Sequence, residues 1–103
     1  MAVRERVTAA RRIQLARRAS GQTSARCNAA LTPRDLAVVA SLDGDGEKLV
    51  SGAIERLGLS ARGFTKVLRV ARTIADLEAS GRVRAQHVAE AIQARLIDRE
   101  LLT

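Results

Sequence analysis

The chain has 103 residues, a formal net charge of +7, one aromatic residue (Phe64), one proline and one cysteine. That length fits one domain with a modest core, and a lone Cys27 excludes an internal disulfide or a cysteine-rich zinc site, so a reducing cytoplasm is the expected setting. No apolar run approaches the roughly 20 residues of a membrane span, and no apolar h-region follows the basic N-terminus, so neither a membrane partner nor a signal peptide is expected.

The charge is unevenly spread. Residues 1–27 carry seven arginines against one acid, Glu5, a net +6, whereas residues 28–103 are nearly balanced at +1. Residues 3–19 predict a helix, with Val3, Val7, Ala10, Ile13 and Ala16 or Leu15 recurring at helical spacing and arginines around most of the remaining circumference. Arg11, Arg12, Arg17 and Arg18 are its candidate contacts to an anionic partner: nucleic acid, nucleotide phosphate or an acidic protein face. The plain alternative is a solvated helix face. Residues 20–31 lose the pattern and carry Ser, Gly, Thr and Asn, which predicts a loop and the least ordered part of the chain, with a composition mild enough to allow local packing.

Thr32, Pro33 and Asp35 then mark a helix start: a capping hydroxyl, a proline suited to the first helical position and an acid at the capping-box position, where Glu would fit better. Leu36, Val39 and Ala40 give a short helix ending near Leu42. Asp43, Gly44, Asp45 and Gly46 predict a turn. They look superficially like a calcium loop, but no further liganding pattern follows and no metal site is expected. A third helix covers residues 46–57, with Leu49, Val50, Ala53, Ile54 and Leu57 inward and Gly58 as a left-handed terminator. Ser60 caps the fourth, predicted to run to about Ser80 and to be closed by Gly81 in the same manner. The last covers residues 85–99, with Val88, Ala91, Ile92 and Leu96 on one face, Val83 tucked into the core just before it and residues 100–103 as a frayed tail. No strand pattern competes. The fold class is all-α, one domain of about five helices, the second one short.

The chemistry concentrates on the fourth helix. Phe64, Val67, Leu68, Ala71, Ile74 and Ala75 form an apolar stripe, and Arg62, Lys66, Arg69, Thr73 and Asp76 lie on another side. Three cations at i, i+4 and i+7 repel slightly unless an anion or a neighbouring acid offsets them. Arg62 also sits in the first turn, where the helix dipole disfavours a cation but where a guanidinium fork can face a phosphate. The competing reading pairs Arg62 with Glu55 or another helix's acid. Arg72 is placed to pair with Asp76 one turn on. His87, the only histidine, has no metal co-ligand and no nucleophile beside it, and is read as structural. Glu90 is read as a surface or ion-pair residue.

The run LSARGFTKVLRVARTIADL (residues 59–77), followed by HVAEAIQAR (87–95), resembles the C-terminal domain of magnesium-chelatase-like AAA+ ATPases, in particular their competence-protein group. VRERVTAAR at 3–11, Gln14 and LTPRDL at 31–36 fit the same pattern, so the likeness extends from about residue 3 to residue 99. The resemblance implies the helical lid of an AAA+ module, following a nucleotide-binding core in the same chain and riding over ATP and its magnesium. It implies that Arg62 corresponds to the sensor-2 arginine, which contacts the γ-phosphate of its own or a neighbouring subunit's ATP. It further implies a homo-oligomeric ring, expected to be a hexamer, and in the competence members an action on DNA. Arg69 and Arg72 match family positions, and Arg69 and Lys66 are candidate phosphate or subunit-interface contacts. Phe64 stands where the family pattern has tyrosine. The sequence has no G-x-x-x-x-G-K-[ST] loop and no strand ending in acids to hold magnesium. The chain on its own is therefore expected neither to bind ATP tightly nor to hydrolyse it. The rival reading is a stand-alone basic helical module that binds nucleic acid through residues 4–18, and a third is a plain protein-interaction bundle.

Overall fold

The computed structural model describes residues 3–102, with side-chain surroundings described for 3–95. It contains α1 (Val3–Ala19), a single 3-10 turn (Asn28–Ala30), α2 (Pro33–Val39), α3 (Gly44–Leu57), α4 (Ala61–Leu77) and α5 (Ala85–Leu102), with no strand among the described residues. The all-α expectation of five helices with a short second one is met.

The helices begin where local chemistry directs them. Thr32 and Asp35 form a reciprocal capping box: the Asp35 N–H donates to Thr32 Oγ1 at 3.1 Å, and the Thr32 N–H donates to Asp35 Oδ2 at 3.0 Å. Ser60 Oγ accepts from the Gly63 N–H at 3.1 Å and starts α4. Gly58 ends α3 at φ 63°, a left-handed conformation that suits glycine.

Four boundaries differ from the sequence expectation. Asp43 is the N-cap of α3, its Oδ1 accepting from the Gly46 N–H at 2.7 Å, so Gly44, Asp45 and Gly46 are the first helical turn rather than a free turn. One strong cap outweighed two glycines. The second helix stops at Val39, before Leu42. α4 stops at Leu77, and Ala79 rather than Gly81 takes the left-handed conformation, at φ 57°. The Ser80 N–H then closes back on the Ala75 carbonyl at 2.8 Å. The helix ends early because Arg72 holds the carbonyls of Ser80 and Gly81, and Val83 must reach the core, where it is 3% exposed. Finally, α5 continues through Leu102, so the expected frayed tail is helical that far, and Thr103 lies outside the described residues.

α4 is the central element. It packs against α1, α2, the 3-10 turn and, most extensively, α5, which in turn carries α3. α4 and α5 are antiparallel, since Glu78 meets His87 at one end while Gly63 faces Arg95 at the other. Val67, Leu68, Ala71 and Ala75 are buried as expected, with Phe64 and Ile74 partly so. They meet Leu31, Leu36, Val39 and Ala40 from the second-helix region, Val50 from α3, and Val83, Val88 and Ala91 from around α5. With no tryptophan or tyrosine, this core is built from aliphatic side chains, each large one worth roughly 1.5–3 kcal/mol when fully buried.

The inner face of α1 does not follow its apolar pattern. Ala10, Gln14 and Arg17 are buried, whereas Val3, Val7 and Leu15 remain 75%, 45% and 56% exposed. The reason lies on α4, which offers α1 a polar surface. The segment 20–31 is likewise packed rather than loose: Thr23, Ala25, Asn28 and Leu31 are all buried.

Candidate functional site

The charged side of α4 divides into two halves with different fates. At the N-terminal half, Arg62 and Lys66 are exposed and make no hydrogen bond or ion pair with any described residue. The alternative pairing of Arg62 with Glu55 is not formed. Ser60 caps this end, the apolar stripe beneath is buried, and Gly63 lies against α5, so the backbone that carries Arg62 is fixed while its side chain is free. A cation beside the positive end of a helix dipole, with no acid to offset it, costs free energy that a bound anion would return.

At the C-terminal half, the same side of α4 is covered. Asp76 is 1% exposed and sits between two guanidinium groups. Arg17 of α1 donates from Nη2 to Asp76 Oδ1 at 2.8 Å and from Nη1 to Asn28 Oδ1 at 3.1 Å. Arg72 donates from Nε to the same Asp76 oxygen at 3.0 Å. Asn28 closes the ring, its Nδ2 donating to Asp76 Oδ2 at 2.8 Å and to Thr73 Oγ1 at 3.1 Å. Arg72 also spans to three carbonyls: Val39 at 3.0 Å, Ser80 at 2.7 Å and Gly81 at 3.4 Å. Burial pulls the Arg72 guanidinium below its ordinary pKa, and the Asp76 carboxylate opposes that shift. One acid thus ties α1, the 3-10 turn and the α4 terminus together.

These positions correct one expectation and bear out another. Arg17 is buried in this cluster and is not available to an external anion, because Asp76 and Asn28 take its donors. Arg11, Arg12 and Arg18 are exposed. Arg69 is half-buried and donates from Nε to the Leu31 carbonyl at 2.8 Å, anchoring the segment before α2. The Arg72–Asp76 pair forms as expected, at 2.9 Å. Neither Asp76 nor Asn28 was legible as the hub. The only signal was an acid at position 76 on a helix face otherwise basic, opposite an arginine-rich segment short of acids.

His87 is fully buried and holds a structural position. Its Nδ1 accepts from the Arg84 N–H at 2.9 Å, capping the start of α5, and this acceptor role directs its Nε2 toward Glu78 Oε2 at 2.7 Å. Among the described residues no group of three or more His, Cys, Asp or Glu is placed to hold a metal ion. No described helix is long and apolar enough to cross a membrane.

A helical domain whose central helix carries at its head an exposed arginine with no partner among the described residues is the class defined by this geometry. The chain belongs to the family described as the C-terminal region of the magnesium chelatase subunit ChlI, whose family model matches residues 1–95. It is 36% identical over 100 residues to the uncharacterized protein YifB of Escherichia coli and, to the same degree, to YifB of Salmonella typhimurium. It is 33% identical over 99 residues to the competence protein ComM of Haemophilus influenzae. These alignments cover 96–97% of this chain but only 18–19% of those relatives, so the chain spans about a fifth of their length. No solved structure matches it significantly.

Proposed function

We propose that this domain is the lid of a magnesium-chelatase-like AAA+ ATPase and that Arg62 is its phosphate-sensing arginine. The single observation that carries the reading is the state of Arg62: exposed, unpaired among the described residues, and mounted on a helix immobilised everywhere else. ATP with its magnesium is the substrate, held by a nucleotide-binding core elsewhere in the same protein, because this sequence has no phosphate-cradling loop. The guanidinium supplies electrostatic stabilisation where charge gathers on the terminal phosphate oxygens. When that phosphate leaves, the lid loses one contact to the core. The buried Arg17–Asp76–Arg72 cluster and the α4–α5 packing make the lid answer as a rigid body. In the proposed setting the protein is a cytoplasmic homo-oligomeric ring, with six subunits as the resemblance implies, acting on DNA as the competence group does.

The test is Arg62→Ala in the complete ATPase. Turnover of ATP is expected to fall at least 10-fold with folding and assembly intact, the range of a lost transition-state donor being roughly 10²–10³. Unchanged turnover removes the sensor role.

A second reading has its own observation. Arg4, Arg11 and Arg18 recur at intervals of seven on one face of α1 and are exposed, with no partner among the described residues. At a rise of about 1.5 Å per residue they stand roughly 10 Å apart, a cationic stripe suited to a phosphate backbone. Arg12 flanks it. This is the surface through which the domain would bind nucleic acid.

A further inference from the structure

We infer that Arg95 is the partner of Arg62 in a two-guanidinium site for the terminal phosphate of a nucleoside triphosphate, an inference that rests on the phosphate-sensing reading above. Among the described residues, Arg95 Nε is the only buried side-chain nitrogen or oxygen without a hydrogen-bond partner. Such an atom asks for an explanation, since buried donors are almost always satisfied. The sequence register sharpens the question. Arg95 follows Val88 by seven residues and Ala91 by four, and these two are 0% and 1% exposed, so it occupies an inward position of α5 where an aliphatic residue would pack without a stranded donor.

Its place in the fold supplies the answer. The antiparallel pairing of α4 and α5 brings the Arg95 fork to the first turn of α4, where Nη2 lies 3.5 Å from the point a Cβ on Gly63 would occupy. Gly63 follows Arg62 directly. No acid lies between Ser60 and Thr73 on α4, and Arg95 makes no ion pair with any described residue. Arg62 and Arg95, each without a partner among the described residues, thus both belong to the N-terminal end of α4, and a multiply charged phosphoanion bound there would satisfy both with charge-assisted, bidentate hydrogen bonds.

The experiment is thermal unfolding of this chain with and without 10 mM inorganic tripolyphosphate (about that concentration sufficing for a millimolar site), for wild type, Arg95→Met, Arg95→Lys, Arg62→Ala and Arg18→Gln. Wild type is expected to gain about 4 °C or more. Arg95→Met and Arg62→Ala lose more than half of that gain, Arg95→Lys keeps part of it through its charge, and Arg18→Gln, which reports non-specific binding to α1, keeps all of it. Without ligand, Arg95→Met melts at or above wild type, since a stranded donor is gone; a markedly lower melting temperature makes Arg95 structural and overturns the inference. So does a wild type without any gain, or an Arg95→Met variant that keeps the full gain. If the gain survives Arg62→Ala but not Arg95→Met, Arg95 is a phosphate ligand and the sensor reading of Arg62 alone fails; the reverse pattern removes Arg95 and leaves Arg62.

Discussion

Asp76 is the hub of the buried polar cluster. Its two oxygens accept from Arg17, Arg72 and Asn28 in a space closed to water. Removing a carboxylate from such a cluster strands two buried cations, which costs about 3–5 kcal/mol, far more than an exposed ion pair is worth. Asp76→Ala is accordingly expected to lower stability by that amount in a denaturant titration, with Asp76→Asn costing less because it still accepts one hydrogen bond. An Asp76→Ala protein within about 1 kcal/mol of wild type would mean that the cluster is ornamental. The pairing of Arg72 with Asp76 was readable from their i, i+4 spacing. The participation of Arg17 was not, because its partner lies 59 residues away and nothing in the local pattern of α1 separates it from Arg18.

At the level of elements, start signals proved stronger than stop signals. Thr32 and Ser60, read as caps from the sequence, and Asp43, read as part of a turn, all accept through a side-chain oxygen from the N–H three residues on, a short-range geometry. The capping box also has a pH signature. The Asp35 carboxyl is held below its ordinary pKa, first by the Thr32 backbone N–H and then by the hydroxyls of Thr23 and Thr32. A lowered folded-state value means that its contribution is present above the unfolded-state pKa, near 3.9, and is lost as pH falls through the folded-state value. Asp35→Asn is therefore expected to flatten the loss of thermal stability below about pH 4, while melting below wild type at pH 7. Helix ends, in contrast, were decided by what lay around them. Gly81 is the residue that local chemistry would choose to close α4, yet Ala79 bears the left-handed conformation because Arg72 holds the segment after it. Ala79→Gly should relieve that strain and stabilise the domain by roughly 1 kcal/mol, measurable as a rise of a few degrees in melting temperature.

For the whole molecule, the question is what its basic surface serves. Arg17 and Arg18 are neighbours in sequence and opposites in role, one buried against Asp76 and the other on the exposed stripe. Arg17→Ala is expected to destabilise the domain by about 2–4 kcal/mol with little effect on the salt dependence of DNA binding. Arg18→Gln and Arg11→Gln should leave stability unchanged and each reduce the slope of log K against log salt by about 1, read by fluorescence anisotropy on a duplex oligonucleotide. Binding that is absent, or unmoved by these changes, would leave the stripe as a solvated face.

The sequence by itself determined the helices, the starts of α2 and α4, the buried side of α4, and the placing of Arg62 at the head of that helix, because periodicity and capping act over three to seven residues. It could not determine which polar residues turn inward. Gln14, Arg17 and Asn28 are buried, and Val3 and Leu15 are not, because α1 and the 3-10 turn had to satisfy an acid already committed to the interior of α4. Only the tertiary structure decided that, and only it brought Arg95 of α5 against Gly63 in the first turn of α4. The physical reason is the same in both instances: a buried charge is settled by whatever reaches it across the fold, and distance along the chain carries no record of that.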